Sequence, residues 1–336
     1  MGVGKFLVRK EGVHMRRRNV LLVLVIPILF WGCSSGKGPE AGKTGPTTPP
    51  GWAAVSASLG YEDYIYDIAI VEAPNNIWAV GTYGKIFHYN GKEWQSVPSP
   101  TKLHLFGLAF PRPDEGWAVG ADKIIPDHQS VILRFDGQKW QEFPNPGTDT
   151  LLSVFFPQPD AGWAVGASSN ILHYNGQAWE KVEPPVHCYL SGVSFASPQE
   201  GWAVGNNGVI LHYTADKGWQ VYPSPTKVNL YSVQLISPDN GWIVGAGGTI
   251  LHYNGQKWQP LASPTEMVLS KVSFRGPNEG FAAGAAGTLL RYDGKEWKLV
   301  ESPGRDWFYV VAAMNPEGIW VAGRNRNFFY KKDRGD

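Results

Sequence analysis

The sequence predicts an all-β protein: a seven-bladed β-propeller of four-stranded antiparallel blades forming one domain. Three observations carry that reading. The phrase Gly-Trp-Ala-Val-Gly, with variants, recurs around Trp78, Trp117, Trp163, Trp202, Trp242, Phe281 and Trp320, at spacings of 39, 46, 39, 40, 39 and 39 residues. A second phrase, Leu-His-Tyr-Asn-Gly-x-x-Trp and its variants, follows and sets a further Trp at 94, 140, 179, 219, 258 and 297. The 40 Gly, 26 Pro and 15 Trp among 336 residues supply many tight turns and many large rings to bury. A unit of about 40 residues with four short strands is the signature of a propeller blade.

Residues 1–33 read as an export signal. Arg16, Arg17 and Arg18 precede the apolar run Val20–Trp31, which is shorter than the ~20 residues that span a bilayer. The run leads into Phe30-Trp31-Gly32-Cys33-Ser34, which resembles a bacterial lipobox. That resemblance implies lipidation of Cys33, attachment to the membrane by the lipid alone and, through Ser34, a place on an outer membrane or cell surface. The other reading is cleavage near Gly32 or Ser35 and free secretion. Met15 is an alternative start that gives the signal conventional proportions. Residues 34–50 are Gly, Pro, Thr, Lys and Ser with little that is apolar, and so read as a disordered tether. The propeller takes 51–336.

The fifth unit shows the four strands. Leu230–Leu235 alternates apolar residues, Ser237-Pro238-Asp239-Asn240 turns the chain, and the Trp242 phrase is the second strand. Ala246-Gly247-Gly248 turns into Thr249–Tyr253. Asn254-Gly255 predicts a two-residue type I′ hairpin, with the fourth strand starting at Gln256 and carrying Trp258. The second-strand Trp residues are expected between blades and the fourth-strand Trp residues over the outer rim. In the seventh unit Trp320 lies too near residue 336 for a fourth strand. Gly51-Trp52-Ala53-Ala54-Val55 has the pattern of that strand, and pairing it with Phe328-Phe329-Tyr330 closes the ring and hides two sheet edges.

The repeated Gly-Trp-Ala-Val-Gly, Gly-x-Ile/Leu and turn-Gly-x-x-Trp phrases resemble the BNR-like propellers, in particular the photosystem II stability/assembly factor-like family. The resemblance spans roughly residues 52–332. It implies a binding or assembly role, although nothing in the motifs themselves points to photosynthesis. The family's Asp-box turn is shortened here to forms such as Tyr89-Asn90-Gly91-x-x-Trp94.

Charge and cysteines exclude several classes. Removing the six bases and one acid of residues 1–33 from totals of 30 and 29 leaves 24 and 28, a net of about −4. No basic stripe for nucleic acid remains. With Cys33 lipidated, Cys188 stands alone, so there is no internal disulfide and no zinc spacing. No metal or cofactor is expected, and the chain is read as monomeric. His88, His173, His212 and His252 recur at one place in the third strand, with Arg134 and Arg291 there in other blades. They belong to the repeat.

Function concentrates where loops depart from a rigid repeat. The fourth-to-first connections carry Lys102, His104, Asp149, His187, Tyr189, Lys227, Asn229, Glu266, Arg305, Asp306 and Trp307. On the same face the second unit has a longer loop with Ile124, Ile125, Asp127 and His128, where exposed apolar side chains would mark a contact. This face is the candidate binding site for a protein or glycan, and the chain reads as a non-enzymatic scaffold at the bacterial cell envelope. The alternative is a sialidase-like or other glycosidase using carboxylates near the central pore, with Glu62, Asp63, Asp149 and Glu266 at comparable loop positions.

Overall fold

The computed structural model describes residues 48–56, 63–122, 129–147, 149–314, 318–324 and 327–332. The expectations for the export signal, for Cys33, for most of the tether and for Ile124, Ile125, Asp127 and His128 lie outside these residues.

Seven four-stranded antiparallel sheets follow one another along the chain. Their inner strands are Ile65–Glu72, His104–Arg112, Leu151–Gln158, Leu190–Ser197, Leu230–Ser237, Leu269–Gly276 and Phe308–Met314. Each packs against the inner strands of both neighbours, and the first packs against the last, so the seven sheets form a closed ring. Blade seven has Gly318–Gly323 and Asn327–Lys331 as its second and third strands. Its outer strand is Trp52–Ser56, paired antiparallel with Trp52 opposite Lys331 and Ser56 opposite Asn327.

The core consists of seven clusters. The one between blades four and five joins Trp202, Val204 and Ile210 to Leu230, Leu235, Ile243, Leu251 and Trp258. A second strand pressed between two sheets has no solvent face, which is why Gly241–Gly245 is apolar and buried without alternation. The fourth-strand Trp residues belong to these clusters as well. They do not cover the rim as the sequence suggested. Trp140, Trp179, Trp219, Trp258 and Trp297 are buried and meet the preceding blade's second-strand Trp edge to face, with ring centroids 5.4–5.8 Å apart. Each burial of such a ring contributes about 4–6 kcal/mol before entropy costs, so the ring of indoles dominates cohesion between blades.

The hairpin between third and fourth strands also differs from the sequence reading. Tyr253 pairs with Trp258, so four residues, not two, make the loop and the strand starts at Trp258. Asn254 Oδ1 accepts the N–H groups of Gln256 and Lys257 and closes the loop as an Asx turn. The Tyr253–Trp258 ring contact at 5.2 Å holds the register. Asn90, Asp136, Asn175 and Asp293 do the same in other blades.

Candidate binding site at the mouth of the propeller

All inner strands begin at one face, where the fourth-to-first loops meet the short turns between second and third strands. These turns place two successive residues in the left-handed region, the first being Tyr83, Ser168, Asn207, Gly247 or Ala286, at φ 52–61°. The next residue in four of them is Gly84, Gly208, Gly248 or Gly287, where a Cβ would lie 1.9–2.1 Å from a carbonyl oxygen of the following loop. Glycine there lets the two loops meet. Several predicted site residues serve this same junction. His104 Nδ1 accepts the Tyr83 N–H at 3.2 Å, and Asn229 Oδ1 accepts the Asn207 N–H at 2.9 Å.

The structure divides the predicted residues by exposure. Lys102, His187, Lys227, Glu266, Arg305 and Asp306 are exposed on the loops, whereas His104, Asp149, Tyr189, Asn229 and Trp307 are half-buried. They are spread around the mouth over six blades. Those that converge on one another are His104 and Trp307, because both join an aromatic arc that sequence reasoning missed. Tyr66 lies 5.5 Å from Tyr309 of blade seven and 5.1 Å from Phe106 of blade two, ring to ring. Tyr64 stands 6.2 Å from Tyr309, and Trp307 stands 6.1 Å from Tyr309. Tyr83 and Phe106 flank His104 at 5.1 and 6.0 Å. The Arg324 guanidinium lies 5.9 Å over the Tyr64 ring.

Chemistry follows from burial. Burial pushes the Tyr66 phenol above its usual range, with Tyr309, Tyr64 and Tyr83 adding to the effect, and pushes Tyr309 up to about 12. Both keep their protons and so have an O–H to donate. Burial lowers the His104 imidazolium, and Asp122 works against that. A neutral ring suits a nitrogen that accepts the Tyr83 N–H. Tyr83 itself is 51% exposed, and its left-handed backbone costs a bulky L-residue about 1–2 kcal/mol. Aligning the inner strands shows the signal that was available. Tyr66, Phe106, Leu152, Ser191, Tyr231, Ser270 and Tyr309 share one register position, where the adjacent blades seven, one and two all carry an aromatic residue and Tyr231 of blade five stands apart.

Below the mouth lies a central channel of about 470 Å³ walled by all seven inner strands. A bulge at the start of each strand breaks the pairing after Ile65, so Tyr66 and Asp67 both line the channel. Asp67 pairs with Lys271 of blade six at 2.7 Å and accepts the N–H groups of Ile68 and Leu108. The carboxylates considered for a glycosidase do not gather there. Asp63 pairs with Lys85 at 3.0 Å, Asp149 and Glu266 stand on loops leading to blades three and six, and Glu62 lies outside the described residues. Among the described residues no group of three His, Cys, Asp or Glu side chains is placed to hold a metal ion.

Residues 132–223 and 213–305 match the family of the photosynthesis system II assembly factor YCF48. The chain belongs to that family. Among solved structures, YCF48 bound to D1 peptide is similar at 19% identity and a TM-score of 0.67, over 87% of this chain and 97% of that one. YCF48 from Cyanidioschyzon merolae matches at 18% and 0.67, covering 85% of this chain and 100% of the other. The RRP9 WD40 repeats reach 0.71 at only 10% identity, over 85% and 99% of the two chains. At such identities these likenesses show the propeller, which YCF48 proteins share with WD40 proteins. A comparison with curated proteins gave no match.

Proposed function

We propose that this YCF48-family propeller is a non-enzymatic assembly factor that holds a polypeptide segment of a partner on the aromatic arc of blades seven, one and two. The observation that carries the reading is Tyr83, an exposed aromatic side chain on a backbone conformation that disfavours it, beside a contiguous row of rings. The left-handed conformation belongs to the turn in five blades, so what sets blade one apart is an exposed aromatic side chain at that position, and Tyr and Trp dominate binding hot spots. Family membership and the YCF48 structure with a bound D1 peptide support a protein partner over a glycan. The lipobox-like Cys33 and the polar segment after it support a tethered position at a bacterial envelope, which loss of [3H]palmitate incorporation in Cys33→Ala would test.

The binding test uses opposite signs. Tyr83→Gly relieves the backbone and is expected to raise stability by about 1 kcal/mol while reducing partner capture from envelope extract. Val221→Ser, on an exposed outer strand, is expected to leave capture unchanged. Capture of the same partners by wild type and Tyr83→Gly would sink the assignment of this arc.

A further inference from the structure

The channel wall is unusual in what its hydrogens can do. Ser153, Ser194, Ser232 and Ser273 line it, and each Oγ accepts a backbone N–H from the next blade: Val193, Leu235, Val272 and Ala313 at 3.4, 3.0, 3.3 and 3.0 Å. Ser270 Oγ likewise accepts the Trp307 indole N–H at 2.8 Å. With the oxygen taken as acceptor, each hydroxyl keeps its hydrogen to give. Ser194 and Ser232 are only 2% and 5% exposed, whereas Ser153, Ser270 and Ser273 are half-buried and keep an accessible side. Tyr66 and Tyr309 add two protonated phenols at the top of the same channel.

The carboxylate on this wall is largely committed. Asp67, its one carboxylate, takes the Ile68 and Leu108 N–H groups together with the Lys271 ammonium. Lys271 is the wall's one cation, its side chain is 33% exposed, and Asp67 occupies one of its three N–H donors. A cavity with spare donors, a carboxylate already accepting three hydrogen bonds and an ammonium with donors left favours an oxygen-rich, negatively charged guest.

We infer that the channel is a carboxylate-binding site, in which Lys271 and the half-buried hydroxyls of Ser270 and Ser273 on the same strand hold the two oxygens of the guest. The guest is a free small acid or the terminal carboxylate of a chain entering end-on, because a ring closed by seven strands leaves no side door for an internal loop. Tyr66 and Tyr309 border both this channel and the aromatic arc, but Lys271 and the serines lie outside the arc and Tyr83 lies outside the channel wall, so either assignment can fail alone.

The test titrates the full chain with succinate, with tetra-alanine as free acid, and with the same peptide amidated at its C-terminus, followed by calorimetry. The free acid is expected to bind at least about tenfold more tightly than the amide, the usual worth of a charge-assisted hydrogen bond. Asp67→Asn combined with Lys271→Gln removes both charges while keeping hydrogen-bonding groups in place, and is expected to weaken acid binding by about tenfold or more at unchanged far-UV circular dichroism. Lys271→Gln alone serves as the second variant, with the same loss expected. Binding of succinate alone identifies a small acid, binding of the peptide acid alone identifies a chain terminus, and binding of both identifies the carboxylate as sufficient. Equal affinity for acid and amide, absence of saturable binding by either acid, or undiminished binding in the doubly neutralised variant overturns the proposal.

Discussion

One position in the third strand shows how a repeat fixes chemistry residue by residue. His88, His173, His212 and His252 stack on Trp78, Trp163, Trp202 and Trp242 at 4.0–4.4 Å. Arg134 covers Trp117 at the same place. What lies two residues before the second-strand ring is the partner in most blades, and Glu200 faces His212 at 3.0 Å. Glu115 and Glu279 face arginines at 2.7 and 2.6 Å, whereas Asn76 and Asn240 face His88 and His252 at 3.0 and 3.1 Å. Burial lowers the imidazolium of His88, His173 and His252 below the ordinary 6.5. Below pH 6.5 the unfolded chain therefore binds more protons at these sites than the folded one, and stability falls as pH drops from 6.5 through the folded values. These side chains are half-buried, so the effect is damped by solvent. The urea midpoint is expected to drop between pH 7.5 and 5, and to drop less in the triple variant His88→Gln, His173→Gln, His252→Gln. Arg275 and Arg291 hold the Glu279 carboxyl below its ordinary 4.5, which moves that group's loss of stability to lower pH and out of the window. Identical pH slopes in the two proteins would place the dependence elsewhere.

At the scale of the blade, the Gly of Gly-Trp is set by what its own inner strand carries. A Cβ at Gly162, Gly201 or Gly280 would lie 2.4–2.5 Å from the ring of Phe156, Phe195 or Phe274. Blades one and seven break the phrase on both sides at once, with Ile77 opposite Ile70 and Ile319 opposite Ala313. One slot is thus filled from the inner strand in most blades, from the second strand in blade seven, and by two medium-sized side chains in blade one. Phe274→Ala alone is expected to cost about 3–5 kcal/mol, and Gly280→Ile alone about 3 kcal/mol or more by overpacking. Together they recreate the arrangement of blade seven, and the double variant should be more stable than the sum of the two costs by about 2 kcal/mol or more. Urea unfolding of the three variants measures the coupling, and simple additivity would refute the shared slot. The same packing explains why blade number and strand order were legible in the sequence: every interface asks for the same Trp, Gly and small residues, so the pattern repeats. The hairpin register was not legible, because Asn-Gly fits a two-residue turn and an Asx-closed loop alike, and the Tyr253–Trp258 contact decides between them. The loop residues of the candidate face were visible, but the arc was not. Tyr309 and Tyr66 are neighbours only because blade seven returns to blade one, and neither stands out within its own repeat.

For the whole molecule the decisive contact is therefore the one that closes the ring. Trp52, from the start of the described chain, fills in blade seven the place that Trp258 and its equivalents fill elsewhere. It is buried against Phe281 of blade six, donates its indole N–H to the Glu301 carbonyl at 3.3 Å and lies under the Lys331 ammonium at 5.7 Å. Its strand also covers the edge of Asn327–Lys331, which would otherwise be an open template for pairing. Each blade is stabilised by both neighbours, so a defect at the closure should be felt by all seven. Trp52→Ala and Trp258→Ala are each expected to cost about 3–5 kcal/mol and to shift the urea midpoint by similar amounts, with one transition and an unchanged slope. If Trp52→Ala instead gives a separate early transition while Trp258→Ala does not, blade seven opens by itself. The aromatic arc, which depends on Tyr309 standing beside Tyr66, would then be lost in that first step, and Tyr fluorescence quenching at the mouth should change with it.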